Sequence, residues 1–213
     1  MLQLFGHPLS SYHQKAVIAF YETGTPFVFR MLDQDNDANL AELYGIWPLG
    51  KFPLLLDNGR AILESSAIIE YVAPELIPIE ESLEVRMLDR IFDNYVMTPM
   101  QKFGADAMRP EDGKDPAGVA DAHAMLDKSY VWIDARLTGR TWAAGDAFTL
   151  ADCAAAPSLF YSDWMHPIPA AHINLKAYLA RLQAHPSVAR AAQEAEPYLH
   201  MVPVPRLNLK EAT

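Results

Sequence analysis

The strongest constraint on the fold is the dipeptide Asn58-Gly59, which separates two short apolar runs in FPLLLDNGRAIL (52–63). A two-residue type I′ turn needs positive φ at both central positions, and Asn-Gly meets that need at little steric cost. The segment therefore predicts an antiparallel hairpin of two short strands.

The residues before and after this hairpin alternate between strand and helix patterns. LQLF (2–5) is a short apolar run, and residues 11–23 carry apolar side chains at helical spacing. FVFRML (27–32) alternates like a strand, and a polar, partly helical stretch follows it. SSAIIEYVAPEL (65–76) predicts a helix after the hairpin. The predicted order of the first 76 residues is β-α-β-α-β-β-α.

The remainder of the chain is almost entirely helical in pattern. Prolines and an acidic segment mark a linker at about 77–83. The predicted helices beyond it span 84–108, 117–138, 149–164, 172–184 and 186–196. The sequence thus predicts an α/β N-terminal domain at 1–78, an all-α C-terminal domain at 84–202, and a C-terminal tail at 203–213.

Composition and charge exclude several classes of protein. With 51% hydrophobic and 21% charged residues, the chain can bury a substantial core without disulfides or metal ions. Its net charge is −10, with no cluster of Lys or Arg, which argues against nucleic acid or an anionic membrane as the main partner. No apolar run approaches the ~20 residues of a membrane helix.

The single cysteine, Cys153, indicates a reducing, cytoplasmic setting. The first residues show no signal-peptide pattern, which agrees with that expectation. Thr149 and Asp152 form a capping-box pattern that predicts the start of a buried helix, and Cys153 on it is expected to be a small, inert core residue. The seven histidines have no metal-ligand spacing, so we predict no metal site.

Three hydroxyl side chains, Ser10, Ser11 and Tyr12, stand just before the first predicted helix. One hydroxyl would suffice to cap it. Ser11 and Gln14 fit an S-x-x-Q capping box, in which the serine accepts from the Gln14 amide and the glutamine side chain reaches back. This pattern predicts Ser11 as the cap and leaves Ser10 and Tyr12 for other roles.

Four segments together resemble the cytosolic glutathione S-transferase family, in the form with a bacterial, serine-type active site. They are FGHPLSSY (5–12), WPLGKFPLL (47–55), ILESSAIIEY (62–71) and AFTLADCAAAP (147–157). The resemblance implies a thioredoxin-like N-terminal domain that binds glutathione and a helical domain that supplies the pocket for a second substrate. It also implies a homodimer and a role in detoxification.

The resemblance assigns the catalytic role to Ser10, at the position of a serine that donates a hydrogen bond to the glutathione sulfur. Lowering a thiol pKa by ~2 units requires ~2.7 kcal/mol of preferential stabilisation of the thiolate, and one charge-assisted hydrogen bond contributes ~1.5–3 kcal/mol. Ser11 is left either as a cap only or as a second glutathione-binding residue. Tyr12 is expected to line the second-substrate pocket or to pack.

The rest of the implied glutathione site consists of Lys51, Phe52, Pro53, Glu64 and Ser65. Phe52-Pro53 matches a cis-proline whose preceding residue pairs with the cysteinyl part like an added strand, although Pro53 would equally fit an edge strand. Glu64 is implied to pair with the γ-glutamyl ammonium group and Ser65 to hold its carboxylate. An N-cap serine is the simpler alternative for Ser65. Lys51 is implied to reach the glycyl carboxylate.

Tyr95, Met100 and Trp164 are the candidates for the apolar pocket of the second substrate, since flexible, polarizable side chains suit varied electrophiles. The predicted function is a transferase that activates glutathione, its co-substrate, for attack on a small and often hydrophobic electrophile. Two alternatives stay open. One is a non-catalytic glutathione-binding or scaffold protein of the same fold, and the other is a glutathione-dependent isomerase or dehalogenase.

Overall fold

The computed structural model describes residues 1–207. The strands are Leu2–Gly6 (β1), Val28–Met31 (β2), Leu54–Asp57 (β3) and Arg60–Leu63 (β4). The α-helices are Ser11–Thr23 (α1), Asp37–Ile46 (α2), Ser65–Val72 (α3), Ser82–Phe92 (α4), Thr98–Ala107 (α5), Pro116–Arg136 (α6), Leu150–Met165 (α7), Ile173–Ala184 (α8) and Pro186–Ala195 (α9). The predicted β-α-β-α-β-β-α order of the N-terminal part is confirmed.

The four strands form one sheet in the order β2-β1-β3-β4. β1 is parallel to β2 and antiparallel to β3, and β3 and β4 form the predicted hairpin. Its turn residues have the positive φ angles that a two-residue hairpin requires, 48° at Asn58 and 86° at Gly59.

The sheet is buried on both faces. Leu4 and Leu55 point into a large core that includes α1, α3 and the C-terminal helices. Phe5 and Leu54 point the other way, into a smaller core that Leu43 of α2 closes. Alternate residues of the central strands therefore pack against helices on both faces of the sheet. Because both faces are covered, a ligand site can form only at the ends of the strands and helices.

Helix α7 lies at the centre of the C-terminal part. Its predicted capping box is confirmed, with Thr149 as N-cap and the Asp152 carboxylate accepting from the Thr149 N–H at 2.9 Å. The same carboxylate accepts from the Tyr178 hydroxyl at 2.6 Å. Cys153 is fully buried, as predicted, and burial raises the pKa of its thiol.

The predicted helix 84–108 contains an insertion that periodicity did not indicate. Between α4 and α5, residues Asp93–Met97 form a π-helical turn, called here the π-turn. Such insertions are frequent at functional sites because they rotate the residues that follow. The π-turn lies against the edge of the N-terminal domain, where it faces α1 and α3.

A short 3₁₀ helix, Glu196–Met201, follows α9. The chain then runs back to α7, where the Trp164 indole N–H donates to the Val204 carbonyl at 2.9 Å. Residues 208–213 of the predicted tail lie outside the described residues. The division into 1–78 and 84–202 stays a prediction. Across residues 1–207, no helix combines the length and the apolar character that crossing a membrane would demand.

Candidate active site

A polar cleft of about 480 Å³ lies between the ends of the N-terminal elements and the α4–α5 segment. It brings together predicted site residues from three segments of the N-terminal part of the chain. They are Ser10, Tyr12, Lys51, Phe52, Pro53, Glu64 and Ser65. Sequence reasoning missed others that line the same cleft: Trp47, Arg90, Asp93, Asn94 and Gln101.

The prediction that Ser11 caps α1 is wrong. The N-cap is Ser10, with extended backbone angles and its Oγ accepting from the His13 N–H at 3.3 Å. Gln14 does not reach back, because its side-chain amide donates to the Pro8 carbonyl at 2.8 Å and to the Tyr161 hydroxyl at 3.0 Å. A contact with α7 therefore takes the glutamine away from the capping box.

The capping role leaves Ser10 free to donate. A hydroxyl has one proton and two lone pairs, and as N-cap Ser10 uses one lone pair. Its O–H can still donate to an anion in the cleft, at the helix end where the macrodipole also favours negative charge. Capping and anion stabilisation are therefore compatible roles for the same side chain.

Ser11 faces a second, more apolar cavity of about 390 Å³. Its other walls are Met100, Gly104, Met108, Tyr161 and Met165, with Val202 and Pro203 from the C-terminal segment. Lys51 and Gln101 line both cavities. The two spaces therefore adjoin at the N-terminus of α1, between Ser10 on the polar side and Ser11 on the apolar side.

Only one of the residues predicted for the second-substrate pocket lines this apolar cavity, namely Met100. Tyr12 lies in the polar cleft instead. Tyr95 is on the other side of the π-turn, in a separate groove of about 240 Å³ against α6. Trp164 points to the C-terminal segment, where its indole binds Val204. The four residues predicted for the second-substrate pocket thus lie in four different places.

The Lys51-Phe52-Pro53 segment forms one edge of the cleft. The Phe52-Pro53 bond is cis. Just before it, Gly50 closes a turn by donating its N–H to the Trp47 carbonyl at 2.8 Å. Gly50 has φ of +61°, and a Cβ there would lie 2.4 Å from the Tyr44 ring. Glycine avoids the backbone strain of this positive φ, and the turn presents Lys51 at the mouth of the two cavities.

The Glu64-Ser65 pair forms the opposite edge. Glu64 has φ of +68°, a left-handed conformation that costs a non-glycine residue of the order of 1–3 kcal/mol and is typical of functional sites. Helix α3 begins at Ser65, and Glu64 offers no side-chain cap. The first amides of α3 therefore have no intrahelical acceptor and are suited to bind an anion.

Tyr12 is a neutral hydrogen-bond donor in this cleft. Burial raises the pKa of its hydroxyl to about 12, with a further contribution from the Asp93 carboxylate. It therefore keeps its proton at neutral pH. Burial also raises the pKa of Asp93, while the Lys15 ammonium group opposes that increase.

A network of buried charged residues lies next to the cleft, in the protein interior. Lys15 of α1 is fully buried, and its Nζ lies 2.5 Å from Asp89 Oδ1 and 2.7 Å from Asp93 Oδ2. It also donates to Ser66 Oγ at 2.9 Å, and this hydroxyl donates to Asp89 Oδ2 at 2.9 Å. One cation thus joins α1, which Ser10 caps, to α3, which begins at Ser65, and to the π-turn, which begins at Asp93.

The sequence matches known protein families in both halves of the chain. Residues 4–75 match the family described as glutathione S-transferase, N-terminal domain, and residues 116–181 match glutathione S-transferase, C-terminal domain. Glutathione S-transferase F10 of Arabidopsis thaliana is 28% identical over 189 residues, which cover 78% of this chain and 82% of that protein. The stringent starvation protein A homolog of Coxiella burnetii is 24% identical over 177 residues, which cover 83% and 81%.

Solved structures of glutathione S-transferases have a similar fold. The structure of a glutathione S-transferase from Methylobacillus flagellatus, solved with GSH bound, superposes with a TM-score of 0.79 at 23% identity. The superposition covers 90% of this chain and 98% of that one. The expected thioredoxin-like domain followed by a helical domain is confirmed. With both of its domain families matched over most of its length, the chain belongs to the glutathione S-transferase family.

Proposed function

We propose that the chain binds glutathione in the polar cleft and transfers its thiolate to an electrophile held in the adjoining apolar cavity. The observation that carries the proposal is the junction of the two cavities at the N-terminus of α1. There Ser10 faces the polar side while Met100 and Met165 line the apolar side. A thiolate at this junction would lie next to both a hydrogen-bond donor and a hydrophobic substrate.

In the proposed complex the tripeptide spans the cleft. Ser65 and the free amides of α3 hold the γ-glutamyl carboxylate, and Glu64 pairs with its ammonium group. The Phe52 backbone pairs with the cysteinyl part, and Lys51 reaches the glycyl carboxylate. Lys51 has no ion-pair partner among residues 1–207, so its charge is available for that role.

The proposal is tested by titrating reduced glutathione calorimetrically and then assaying conjugation with a panel of hydrophobic electrophiles. Binding with turnover supports the transferase. Binding without turnover on any electrophile favours the alternative of a non-catalytic glutathione-binding or scaffold protein. Turnover that regenerates free glutathione would indicate isomerase or dehalogenase chemistry.

Glu64→Ala and Ser65→Ala are each expected to weaken glutathione binding at least tenfold, about 1.4 kcal/mol or more. Each variant removes a group that pairs with a charge of the γ-glutamyl end. Isothermal calorimetry gives the dissociation constants. Glu75→Ala, at an exposed position outside the cleft, is the control. Unchanged affinity in both cleft variants would contradict the assignment.

We further propose a cytoplasmic homodimer in which the N-terminal domain of one chain faces α4 and α6 of its partner. The groove around Tyr95 supports this, because it is lined by half-exposed apolar side chains such as Met125 and Trp132. Trp132→Glu is expected to shift the species from about twice 23.8 kDa toward the monomer mass. Ile173→Glu, an exposed apolar position elsewhere, is the control. Light scattering that gives a wild-type monomer at all micromolar concentrations would contradict the dimer.

A further inference from the structure

A further cavity of about 430 Å³, called here the α9 cavity, lies between α1, β2, α9 and the 3₁₀ helix that follows α9. It shares no lining residue with the polar cleft or with the apolar cavity of the candidate active site. Its volume lies within the ~300–1,000 Å³ that is typical of small-molecule sites. The α9 cavity is therefore a separate candidate binding site, and the function proposed above makes no use of it.

Aromatic rings form much of the wall of the α9 cavity. His13, Val17 and Tyr21 line it from α1, and their spacing of four residues places them on one face of that helix. Phe29 of β2 lines the same space, and its ring packs against the His13 ring with 5.1 Å between the centroids. Tyr198 of the 3₁₀ helix lines it from the C-terminal side. Such walls favour a planar apolar ligand, which can pack against the rings.

The His13 ring in this wall is neutral and incompletely paired. The side chain is buried, and its Nδ1 has no hydrogen-bond partner within residues 1–207. Burial lowers the pKa of the imidazole to about 3, and the nearby His7 lowers it further. An unpaired polar atom in the interior is unfavourable, so packing alone does not explain a histidine at this position. The ring contributes an uncharged aromatic surface to the cavity.

A single arginine lines the cavity beside these rings. The guanidinium carbon of Arg190 lies 3.8 Å from the centroid of the Tyr21 ring. Its Nε donates to one Glu194 oxygen at 3.2 Å, and the other Glu194 oxygen accepts from the Tyr21 hydroxyl at 2.5 Å. The contact with Glu194 uses only the Nε–H, so the terminal amino groups of Arg190 retain donors for a ligand. The side chain is 61% exposed, which keeps these donors accessible.

We propose that the α9 cavity binds a planar aromatic carboxylate, with its rings against the aromatic wall and its carboxylate on the terminal amino groups of Arg190. A guanidinium group presents donors in a geometry that matches a carboxylate. The net charge of the chain is −10, so the long-range field opposes an anion and only a local cation can favour its binding. The inference goes beyond the proposed function and does not depend on it.

The test compares 2-naphthoate with 2-naphthamide, which has the same rings and no charge. Calorimetry at fixed ionic strength gives both dissociation constants. We expect the wild type to prefer the carboxylate by about tenfold, and Arg190→Gln to lose most of that preference. Arg86→Gln is the matched control, because Arg86 is also a half-exposed arginine paired with a glutamate but lies outside the cavity. This control should keep the preference.

A second arm tests the aromatic wall. Phe29→Ala should weaken the binding of both probes by about fivefold or more and leave the preference for the carboxylate unchanged. Val28→Ala is the control, since Val28 is similarly exposed but points to the other face of the sheet. Met108→Ala trims the apolar cavity of the candidate active site and should change neither dissociation constant.

Each outcome of these titrations decides the inference. A wild type that does not bind 2-naphthoate overturns it. A preference that Arg190→Gln keeps in full, or equal losses in Arg190→Gln and Arg86→Gln, would also overturn it. So would unchanged affinity in Phe29→Ala, or a loss confined to Met108→Ala, because the probe would then bind elsewhere. None of the titrations contains glutathione, so failure of the proposed function would leave their results intact.

Discussion

Ser10→Ala is expected to raise the pKa of bound glutathione by about 1–2 units and to slow turnover at neutral pH by about 10–100-fold. The physical reason is the loss of a donor to the thiolate, since the Ser10 hydroxyl lines the polar cleft and its proton is not used by the cap. The variant converts less of the bound thiol to thiolate at any given pH. The defect should therefore be largest at low pH and disappear above the thiol pKa of the variant.

The capping role of Ser10 supplies the control. Ser10→Ala removes the cap as well as the donor, so it should also lower the free energy of unfolding by about 1 kcal/mol. Ser10→Gly removes the same hydroxyl but costs only a few tenths of a kcal/mol as an N-cap. If the hydroxyl acts on the thiolate, both variants shift the thiol titration equally while only the alanine variant melts markedly earlier.

Ultraviolet absorbance of the bound thiolate against pH measures the shift, and a melting curve for each variant measures stability. Ser11→Ala is the neighbouring comparison, and we expect it to leave the titration in place because Ser11 faces the apolar cavity. A titration that moves in Ser11→Ala and stays fixed in both Ser10 variants would mean that Ser11 activates the thiol.

The N-terminal fold was predictable because its signals are local. Asn58-Gly59 determines the hairpin turn by its own backbone preferences, and the alternating apolar runs on either side determine which faces are buried. The Thr149 capping box is also local, and it formed as predicted. In each case the residues that decide the structure lie within a few positions of one another.

The Ser11 capping box failed for the opposite reason. The pattern S-x-x-Q is satisfied by the sequence, but Tyr161, 147 positions away, competes for the Gln14 side chain. No local pattern contains that information. The adjacent Ser10 then takes the N-cap, since a helix needs only one.

The same distinction between local and distant signals separates the site residues that were predicted from those that were missed. Residues in local motifs, such as Glu64 and Ser65, were found from the sequence and lie in the cleft. Arg90 and Asp93 were missed because they belong to a helix whose polar face resembles an ordinary solvated one. Asp93 lies in the π-turn and pairs with Lys15 of α1, which is 78 positions away along the chain. The available signal was Lys15 itself, a charged residue within the apolar stretch of α1.

Lys15→Met is expected to lower the free energy of unfolding by about 3–5 kcal/mol. Lys15 is fully buried, and so is Asp89, so the substitution leaves two interior carboxylates with only the half-exposed Arg90 as a cation. The penalty arises from these undercompensated charges more than from the lost attraction. Urea unfolding at fixed protein concentration measures it.

Two further variants distinguish this mechanism from a general effect of losing an ion pair. Arg86→Met breaks an ion pair with Glu70 that is largely exposed, and it should change stability little. Lys15→Met/Asp89→Asn/Asp93→Asn removes the buried charges together and should recover much of the stability. A Lys15→Met variant as stable as Arg86→Met would contradict the role of the network. Because the same ammonium group joins α1, α3 and the π-turn, Lys15→Met should also weaken glutathione binding under conditions in which it remains folded, whereas Arg86→Met should not.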